Sequence, residues 1–210
     1  MLKKKFLIGT FLTMIIIGGV FLFSCSSVND TTARAFLNKK YPDINFYYKG
    51  EGSNAWSSGY NDYLFEDNDN RECIVRFNKN VISGDNYQSS IYDKEMEQEL
   101  EKTFGKEYVV RVSTKYTFLD EQTIYNTPEE YFPNAVNFGI QIFTNQPYNF
   151  NNIKTQLFNK FYSTRCSINV IQVSDTYFTS LKNNKEGATG YNEIKRNHFL
   201  IEDKQIKEEK

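Results

Sequence analysis

The feature that most constrains this chain is an uncharged run over residues 6–23, which directly follows Lys3, Lys4 and Lys5. These 18 residues have no charged face to turn towards water, so the run is not expected within a folded domain. A positive segment followed by an apolar run is the pattern of an export signal. The run is longer than the usual signal-peptide core of about 7–15 residues and close to the roughly 18–20 that span a bilayer, so a single N-terminal transmembrane helix stays an alternative.

The end of the run carries a second signal, Leu22-Phe23-Ser24-Cys25. An aliphatic, a variable and a small residue before a cysteine resemble the lipobox of bacterial prolipoproteins, in which the cysteine receives diacylglycerol. The resemblance covers only the leader. It implies that residues 1–24 are a removed signal peptide, that Cys25 is the lipid attachment site, and that residues 25–30 form the anchor and tether. Since two acyl chains, for example palmitate, anchor a protein stably, we expect a lipoprotein on the outer face of a bacterial cytoplasmic membrane.

Length and charge limit what the exported part can be. Removal of residues 1–24 from the 210-residue chain would leave 186 residues, for which we expect a single α+β ectodomain over residues 31–201. The chain has a net charge of −1 and the leader carries three lysines and no acid, so the remainder has a net charge of −4. An acidic domain argues against nucleic acid as a partner. The abundance of Tyr, Phe, Asn, Lys and Ile is typical of a low-GC Gram-positive source.

Three stretches have apolar residues at helical spacing and are predicted to form amphipathic helices. The first ends before Pro42 and the second before Gly105, a residue suited to the end of a helix. In the second helix the acidic residues lie beside an apolar stripe and are expected to face solvent. Those acidic residues are Asp93, Glu95, Glu97, Glu99 and Glu101, and the three helices cover residues 31–41, 90–104 and 151–162.

Apolar residues at strand spacing predict seven strands, over residues 44–48, 60–65, 73–77, 108–118, 138–144, 168–173 and 199–201. The predicted fold class is therefore α+β, a mainly antiparallel sheet with about three amphipathic helices packed on one face. The last segment, residues 202–210, is highly charged and is predicted to be a mobile tail.

The predicted helices end at aromatic residues, Tyr41, Phe104 and Tyr162, which lie about 60 residues apart. A strand is predicted after each helix, so the spacing could mark a duplicated α-β-β unit. Because the order helix, loop, strand is common in α+β folds, coincidence is the favoured interpretation.

Apart from Cys25 the chain has two cysteines, Cys73 and Cys166, both in or beside predicted strands. An extracytoplasmic location permits a disulfide between them, which needs Cα atoms within about 7 Å. Two small buried apolar side chains are the favoured alternative. A zinc site is not expected, because the chain has one histidine and no Cys-x-x-Cys pair.

The residues after Cys25 contain no recognisable catalytic or cofactor motif. His198 is the only histidine, and no nucleophile motif accompanies it, so we interpret it as an ordinary strand-edge residue. The stretch Asp67-Asn68-Asp69-Asn70 is similar to a calcium loop but lacks its glycine and its final bidentate acid, which favours a hairpin turn. A phosphate-binding glycine loop is also missing, so neither a metal nor a cofactor is predicted.

The segment most typical of a binding loop covers residues 50–63. It combines the only tryptophan, Trp56, with Tyr60, Tyr63, glycines and small polar residues, a mixture found in adaptable recognition surfaces. The alternative is that Trp56 covers one end of the core while the glycines allow a long hairpin connection to turn.

These observations favour a non-enzymatic binding or accessory module at the cell envelope, attached to the membrane by its lipid. Its partner would be an envelope protein or a wall component whose identity the sequence does not give. The alternative is an extracytoplasmic hydrolase with a carboxylate-based site. Such a site could be assembled from any of the 26 acidic residues, because sequence spacing does not reveal which of them meet.

Overall fold

The computed structural model describes residues 27–52, 59–114, 116–183 and 191–209. They form two compact units, one ending at Asp85 and the other beginning at Asn86, where the sequence predicted a single ectodomain. Apolar spacing identifies helices and strands without showing which of them share a core, so it does not reveal this division. Each unit has one sheet with mostly antiparallel strands, and helices accompany both. The predicted α+β fold class is confirmed.

The first unit consists of helix α1 (Ser27–Lys40) and an antiparallel sheet whose four strands follow each other in chain order. Alternate residues of the middle strands, such as Phe65 and Val75, are buried, as the period of two along a strand requires. The last strand was not predicted, because its residues do not alternate. The strands are β1 (Tyr47–Glu51), β2 (Tyr60–Glu66), β3 (Glu72–Asn78) and β4 (Val81–Asp85).

A buried ion pair links the end of α1 to β4. Lys40 Nζ lies 2.7 Å from Asp85 Oδ2, and neither side chain is exposed to solvent. The hydroxyl of Tyr41 donates a hydrogen bond to Asp85 Oδ1 over 3.0 Å. Removing two charges from water is costly unless they meet with good geometry, so this contact requires α1 and β4 to remain together.

The turn between β2 and β3 confirms the hairpin predicted at residues 67–70. Asn70 has a left-handed backbone with a φ of 58°, which asparagine tolerates better than most residues. Asp67 Oδ1 accepts hydrogen bonds from the main-chain N–H groups of Asp69 and Arg71, at 2.8 and 2.9 Å. Its Oδ2 accepts from Arg71 Nε at 2.7 Å. The acid that suggested a calcium loop is thus engaged within the turn.

The described residues of the second unit form four α-helices, a short 3-10 helix (Phe132–Asn134) and a five-stranded sheet in the order β5-β6-β7-β8-β9. All neighbours are antiparallel except β6 and β7, which are parallel and are connected through α4. The helices are α2 (Tyr87–Phe104), α3 (Pro128–Tyr131), α4 (Phe150–Phe161) and α5 (Asp175–Lys182). The strands are β5 (Val109–Ser113), β6 (Gly139–Thr144), β7 (Cys166–Val173), β8 (Glu193–Glu202) and β9 (Gln205–Glu209).

The two faces of the five-stranded sheet differ. One face packs its Val and Ile side chains against Leu100 of α2 and Leu157 of α4, in the main core of this unit. The other face is divided. At one end α5 covers apolar residues, with Phe178 packed against Phe143 and Ile171. At the other end the face carries polar side chains, and this part is called the open face below.

Helix α2 covers the outer edge of β5 with carboxylates. Asp93, Glu97 and Glu101 accept hydrogen bonds from the main-chain N–H groups of Thr114, Val112 and Val110, at 2.9, 3.0 and 3.1 Å. Four helical residues rise about 6.0 Å and two strand residues about 6.6 Å, so every fourth acid meets every second N–H group. We call this arrangement the edge carboxylates. It occupies donors that an exposed edge strand would offer to another chain.

The edge carboxylates correct the prediction that the whole acidic run of α2 faces solvent. Glu95 and Glu99 are exposed, as expected, whereas Asp93, Glu97 and Glu101 are partly buried against β5. Helical spacing places the two groups on different faces, but it cannot show that a strand edge lies opposite one of them.

The C-terminal segment is not a mobile tail over Gln205–Glu209, which pairs with β8 as strand β9. Asp203 and Lys204 have φ values of 53° and 60°, as in a two-residue hairpin turn with both residues left-handed. The prediction was wrong because charge suggested disorder. In an edge strand, charged side chains face solvent and discourage pairing with other chains.

Several other elements differ from the predictions. Strand β8 covers ten residues rather than three, β5 ends at Ser113, and α5 was not predicted. The structure does not repeat an α-β-β unit: four strands follow α1, whereas one strand follows α2 before α3 begins. Coincidence therefore accounts for the spacing of about 60 residues.

Candidate functional site

The structure separates the aromatic residues predicted to form a binding surface. Trp56 lies outside the described residues. Tyr60 and Tyr63 are three positions apart on β2, so their side chains point to opposite faces. Tyr63 is 5% exposed, with its ring centroid 5.1 Å from that of Phe77, so the prediction is wrong for this residue. Tyr60 is 38% exposed and lies beside the guanidinium of Arg76.

The structure describes two of the three cysteines. Cys25, the predicted lipid attachment site, lies outside the described residues. Cys73 and Cys166 are fully buried, each as a thiol rather than in a disulfide, so both lie in the structure as small buried side chains. Burial raises the pKa of the Cys166 thiol well above its usual value, which disfavours the reactive thiolate.

The described residues offer neither a metal site nor a membrane-spanning helix. They contain no group of three or more His, Cys, Asp or Glu side chains that could hold a metal ion. None of the helices in the described part of the chain is both long and apolar enough to cross a bilayer.

His198 has a partner that the sequence could not reveal. Its Nε2 lies 3.0 Å from Ser167 Oγ, and β8 lies between β7 and β9 rather than at the sheet edge. A serine beside a histidine is the geometry from which a nucleophile and base can be built. The main-chain N–H of Ser167, however, donates to the carbonyl of Phe138 at 3.0 Å, so that N–H is not directed at a reacting oxyanion. The pair instead presents polar atoms on the open face.

Two of the edge carboxylates have raised pKa values, a property that also marks catalytic acids. Burial raises the pKa of Asp93 to about 6, although hydrogen bonds from Thr114 oppose the shift. Burial also raises the pKa of Glu97, opposed by the N–H of Val112 and by Arg111. The raised pKa values therefore follow from burial of these carboxylates against the strand edge and do not require a catalytic role.

A cleft of about 770 Å³ opens beside β5 and is lined by residues of α2, β5 and α5. We call it the basic cleft, because five cations and one acid line it. Lys94, Gln98 and Lys102 follow each other at intervals of four residues, so they share one face of α2. The cations are Lys94, Lys102, Lys106, Arg111 and Lys182, and the acid is Glu101.

The charged groups of the basic cleft are not neutralised equally. Within the described residues, neither Lys102 nor Lys106 has an acidic oxygen within 4.0 Å. Lys94 lies 3.6 Å from Glu97. The one acid in the cleft, Glu101, accepts from the N–H of Val110, so its charge is partly directed towards β5. The cleft therefore has an excess of positive charge.

Arg111 occupies a fixed position at one side of the basic cleft. Its guanidinium donates to the carbonyl oxygens of Val110 and Leu181, at 2.9 and 3.2 Å. Its side chain is also part of the open face, where it lines a second cavity of about 350 Å³ that we call the sheet pocket. The other residues that line the sheet pocket are Ser113, Gly139, Ile140, Gln141, Ser167 and Asn169.

Only part of this site could have been found in the sequence. The spacing of Lys94, Gln98 and Lys102 within a predicted helix is a visible signal of a polar, positive face. Arg111 and Lys182 are 71 positions apart, and no local pattern shows that both reach the same cleft. Ser167 and His198 likewise meet only through the pairing of β7 and β8.

Comparison with known proteins does not assign this chain to a family. No family model matches the chain, and no curated protein matches it. A crystal structure of a DUF5037 family protein from Ruminococcus gnavus ATCC 29149 is similar to it, with a TM-score of 0.46 and 10% sequence identity. The match covers 84% of this chain and 93% of that chain. A similarity of this size carries no argument about function.

Proposed function

We propose that this chain is a lipid-anchored, extracytoplasmic binding module whose ligand is an anion held in the basic cleft. The observation that carries the proposal is a contrast of charge. Five cations line one cleft of a chain whose residues after the leader have a net charge of −4. A concave site lined by one sign of charge attracts ligands of the opposite sign and raises their local concentration.

The cations of the cleft belong to separate parts of the second unit. Lys102 lies on α2, Lys106 follows that helix, and Lys182 ends α5. Like charges brought together repel each other, so their meeting destabilises the unit unless an anion joins them. A bound anion would remove this repulsion, and the ligand should therefore stabilise the folded chain.

Binding, rather than hydrolysis, is supported by the use of the nearby acids. General acid and base chemistry needs carboxylates that are directed at a substrate. Asp93 and Glu97 have raised pKa values, but their oxygens accept hydrogen bonds from Thr114 and Val112. Neither residue lines the basic cleft.

The proposed location is the outer face of the cytoplasmic membrane, and Cys25 carries the lipid. It is supported by the resemblance of Leu22-Phe23-Ser24-Cys25 to a lipobox and by the apolar run before it. In a Gram-positive host, we expect the full chain to lose residues 1–24 and to gain the mass of a diacylglyceryl group. The variant Cys25→Ala should gain no such mass, and its mature chain should not partition into the detergent phase. An intact leader and identical behaviour of both chains would instead support a transmembrane anchor.

The basic cleft is tested with inorganic pyrophosphate as the probe, added to the full chain in a non-ionic detergent. We compare wild type with the double variant Lys102→Gln/Lys106→Gln by isothermal titration calorimetry. Two lost charge interactions of about 0.7 kcal/mol each should weaken binding about tenfold. The affinity of wild type should also fall as salt is added, because the interaction is electrostatic.

The matched control is Lys154→Gln/Lys207→Gln, which makes the same change in net charge in the same unit but away from the cleft. Both control lysines already form ion pairs, with Glu208 and Glu202. The control should bind pyrophosphate within a factor of about two of wild type, because neither lysine lines the basic cleft. If the two double variants lose affinity equally, or if wild type does not bind, the proposal of an anion site in the basic cleft is wrong.

A further inference from the structure

We infer that the anion in the basic cleft is the phosphate group of a sugar or polyol, whose hydroxyl groups bind in the sheet pocket. This inference rests on the proposed function, since it uses the same cleft, and it adds the chemical class of the ligand. The structural basis is the position of Arg111, which lines both the basic cleft and the sheet pocket. A ligand that contacts Arg111 with its phosphate can therefore place its remaining atoms over the sheet.

The sheet pocket is part of a polar row that crosses four strands. Arg111 pairs with Gln141 in the strand register, Gln141 with Asn169, and Asn169 with His198. Residues in register lie on the same face of a sheet, about 4.8 Å apart, so the row is about 14 Å long. This length suits a ligand of one or two sugar rings, or a short polyol.

The chemistry of the row suits hydroxyl groups. Gln141 and Asn169 each carry an amide, which both donates and accepts hydrogen bonds, as a hydroxyl group does. Arg196 Nη1 donates to Asn169 Oδ1 over 3.4 Å and so orients the Asn169 amide. Beside it, Ser167 Oγ lies 3.0 Å from His198 Nε2, which adds a second pair of polar groups to the open face. No acid is among the described residues that line the sheet pocket, so a ligand with a negative charge meets no repulsion there.

Gly139 forms the floor of the sheet pocket. It pairs with Ser113 on one side and Ser167 on the other, so its α-carbon lies between two polar side chains of the open face. A β-carbon added there would meet no atom closer than the carbonyl oxygens of Ser167 and Ser113, at 3.9 and 4.0 Å. A larger side chain at this position would therefore fill the pocket without a clash with the backbone.

Phosphate suits the basic cleft better than a carboxylate does. Planar carboxylates are recognised best by the two-pronged guanidinium of arginine. Four of the five cations in the cleft are lysines, which act as point charges and can surround a tetrahedral group of several oxygens. The cleft and the sheet pocket together thus combine cations for a phosphate with amides for hydroxyl groups.

The test compares three probes on the full chain in non-ionic detergent: inorganic phosphate, glucose 6-phosphate and glycerol 3-phosphate. Wild type should bind at least one of the two organic phosphates about fivefold or more tightly than inorganic phosphate, as one or two added hydrogen bonds of about 1 kcal/mol predict. The stronger of the two shows whether a sugar or a polyol is preferred. Chemical shift changes of the Gln141 and Asn169 side-chain amides should accompany that binding.

Two variants locate the hydroxyl groups. Gly139→Val fills the sheet pocket, and Gln141→Ala/Asn169→Ala removes its amides, while both leave the lysines of the basic cleft in place. Each should reduce the affinity for the organic phosphate to that for inorganic phosphate, which itself should not change. A thermal unfolding curve similar to that of wild type shows that the variants are folded. If one variant does not fold, the inference is still tested by the other variant and by the relative affinities of wild type for the three probes.

The outcomes distinguish this inference from the proposed function. If inorganic phosphate binds and the organic phosphates bind no more tightly, the inference is wrong and the anion site stands. If the organic phosphates bind more tightly but the two variants keep that preference, the hydroxyl groups lie elsewhere and the inference is also wrong. If none of these probes binds wild type and pyrophosphate does not bind either, the proposed function fails as well.

Discussion

The two units bury an aspartate in different ways. In the first unit, Asp85 meets the ammonium group of Lys40 at 2.7 Å, and neither side chain is exposed. In the second unit, Asp93 meets only hydrogen-bond donors of neutral groups, the N–H and the hydroxyl of Thr114, at 2.9 and 2.6 Å. Both carboxylates join a helix to a strand, but only one does so through a full opposite charge.

This difference determines how each contact responds to its surroundings. An ion pair with no exposure depends on both partners, because loss of one leaves a buried charge uncompensated. Neutral donors offset only part of the free energy that a charged carboxylate loses when it leaves water. Burial accordingly raises the pKa of Asp93 to about 6. We therefore expect the first contact to be sensitive to mutation and the second to pH.

The largest expected effect is that of Asp85→Ala, which leaves Lys40 buried without its carboxylate. The free energy of unfolding of the first unit should fall by about 3–5 kcal/mol, the usual result of breaking a buried pair. Hydrogen exchange detected by mass spectrometry measures this unit separately, through the protection of β2 and β3. The second unit should keep its protection.

The control for this change removes both charges, as Lys40→Met/Asp85→Leu. It should recover a large part of the lost stability, because well-packed apolar residues can replace a buried pair. If the double variant is no more stable than Asp85→Ala, packing around the two side chains, and not the uncompensated charge, is the cause of the loss.

The next effect concerns pH and Asp93. Its pKa is raised from 3.8 to about 6 on folding, so the folded state binds the proton more tightly. The contribution of this residue to stability is therefore fully present below about pH 4 and is lost as the pH rises through 6. A shift of about two pH units corresponds to about 3 kcal/mol, which wild type should lose between pH 4 and 7 relative to Asp93→Asn.

Urea unfolding of the second unit at several pH values measures this difference. The groups near Asp93 include Thr114, whose hydroxyl lies 2.7 Å from that of Tyr131, and Glu97, which also has a raised pKa. The matched control is Glu95→Gln on the exposed face of the same helix, which should keep the pH dependence of wild type. A constant difference between wild type and Asp93→Asn at all pH values would contradict the assignment to Asp93.

Sequence reasoning succeeded where the signal was local. The turn at residues 67–70 was predicted from its run of Asp and Asn, and Asn70 has the left-handed backbone that asparagine tolerates. Helix α4 was predicted within one residue at each end, and its buried residues Ile153, Leu157 and Phe161 recur at helical spacing. In both cases, the residues that determine the structure are close together in the chain.

The errors arose where the partner is distant in the chain. The acidic run of α2 was expected to face solvent, because nothing near residues 93–101 shows that β5 lies opposite. The charged segment at the C-terminus was interpreted as a tail, although its pairing with β8 forms strand β9. The basic cleft combines Lys102 with Lys182, and the sheet pocket combines Gln141 with Asn169. Only the folded sheet shows that these residues are neighbours.

The smallest expected effect concerns Glu97, which covers the edge of β5, in comparison with Glu99, which lies on the surface of α2. Glu97→Ala leaves the N–H of Val112 without its acceptor, which should reduce the free energy of unfolding by about 1–2 kcal/mol. The amide proton of Val112, observed by nuclear magnetic resonance, should also exchange with solvent faster than in wild type.

The matched control is Glu99→Ala, two residues away on α2. Glu99 forms an exposed ion pair with Lys160, and exposed pairs contribute little to stability. This variant should therefore leave the exchange of Val112 unchanged. If Glu97→Ala also leaves the exchange of the Val112 amide unchanged, the Glu97 carboxylate does not cover the strand edge. Only Asp93 and Glu101 would then remain as edge carboxylates. If only Glu97→Ala accelerates exchange, hydrogen bonding across the edge, rather than the charge of α2, holds the helix against β5.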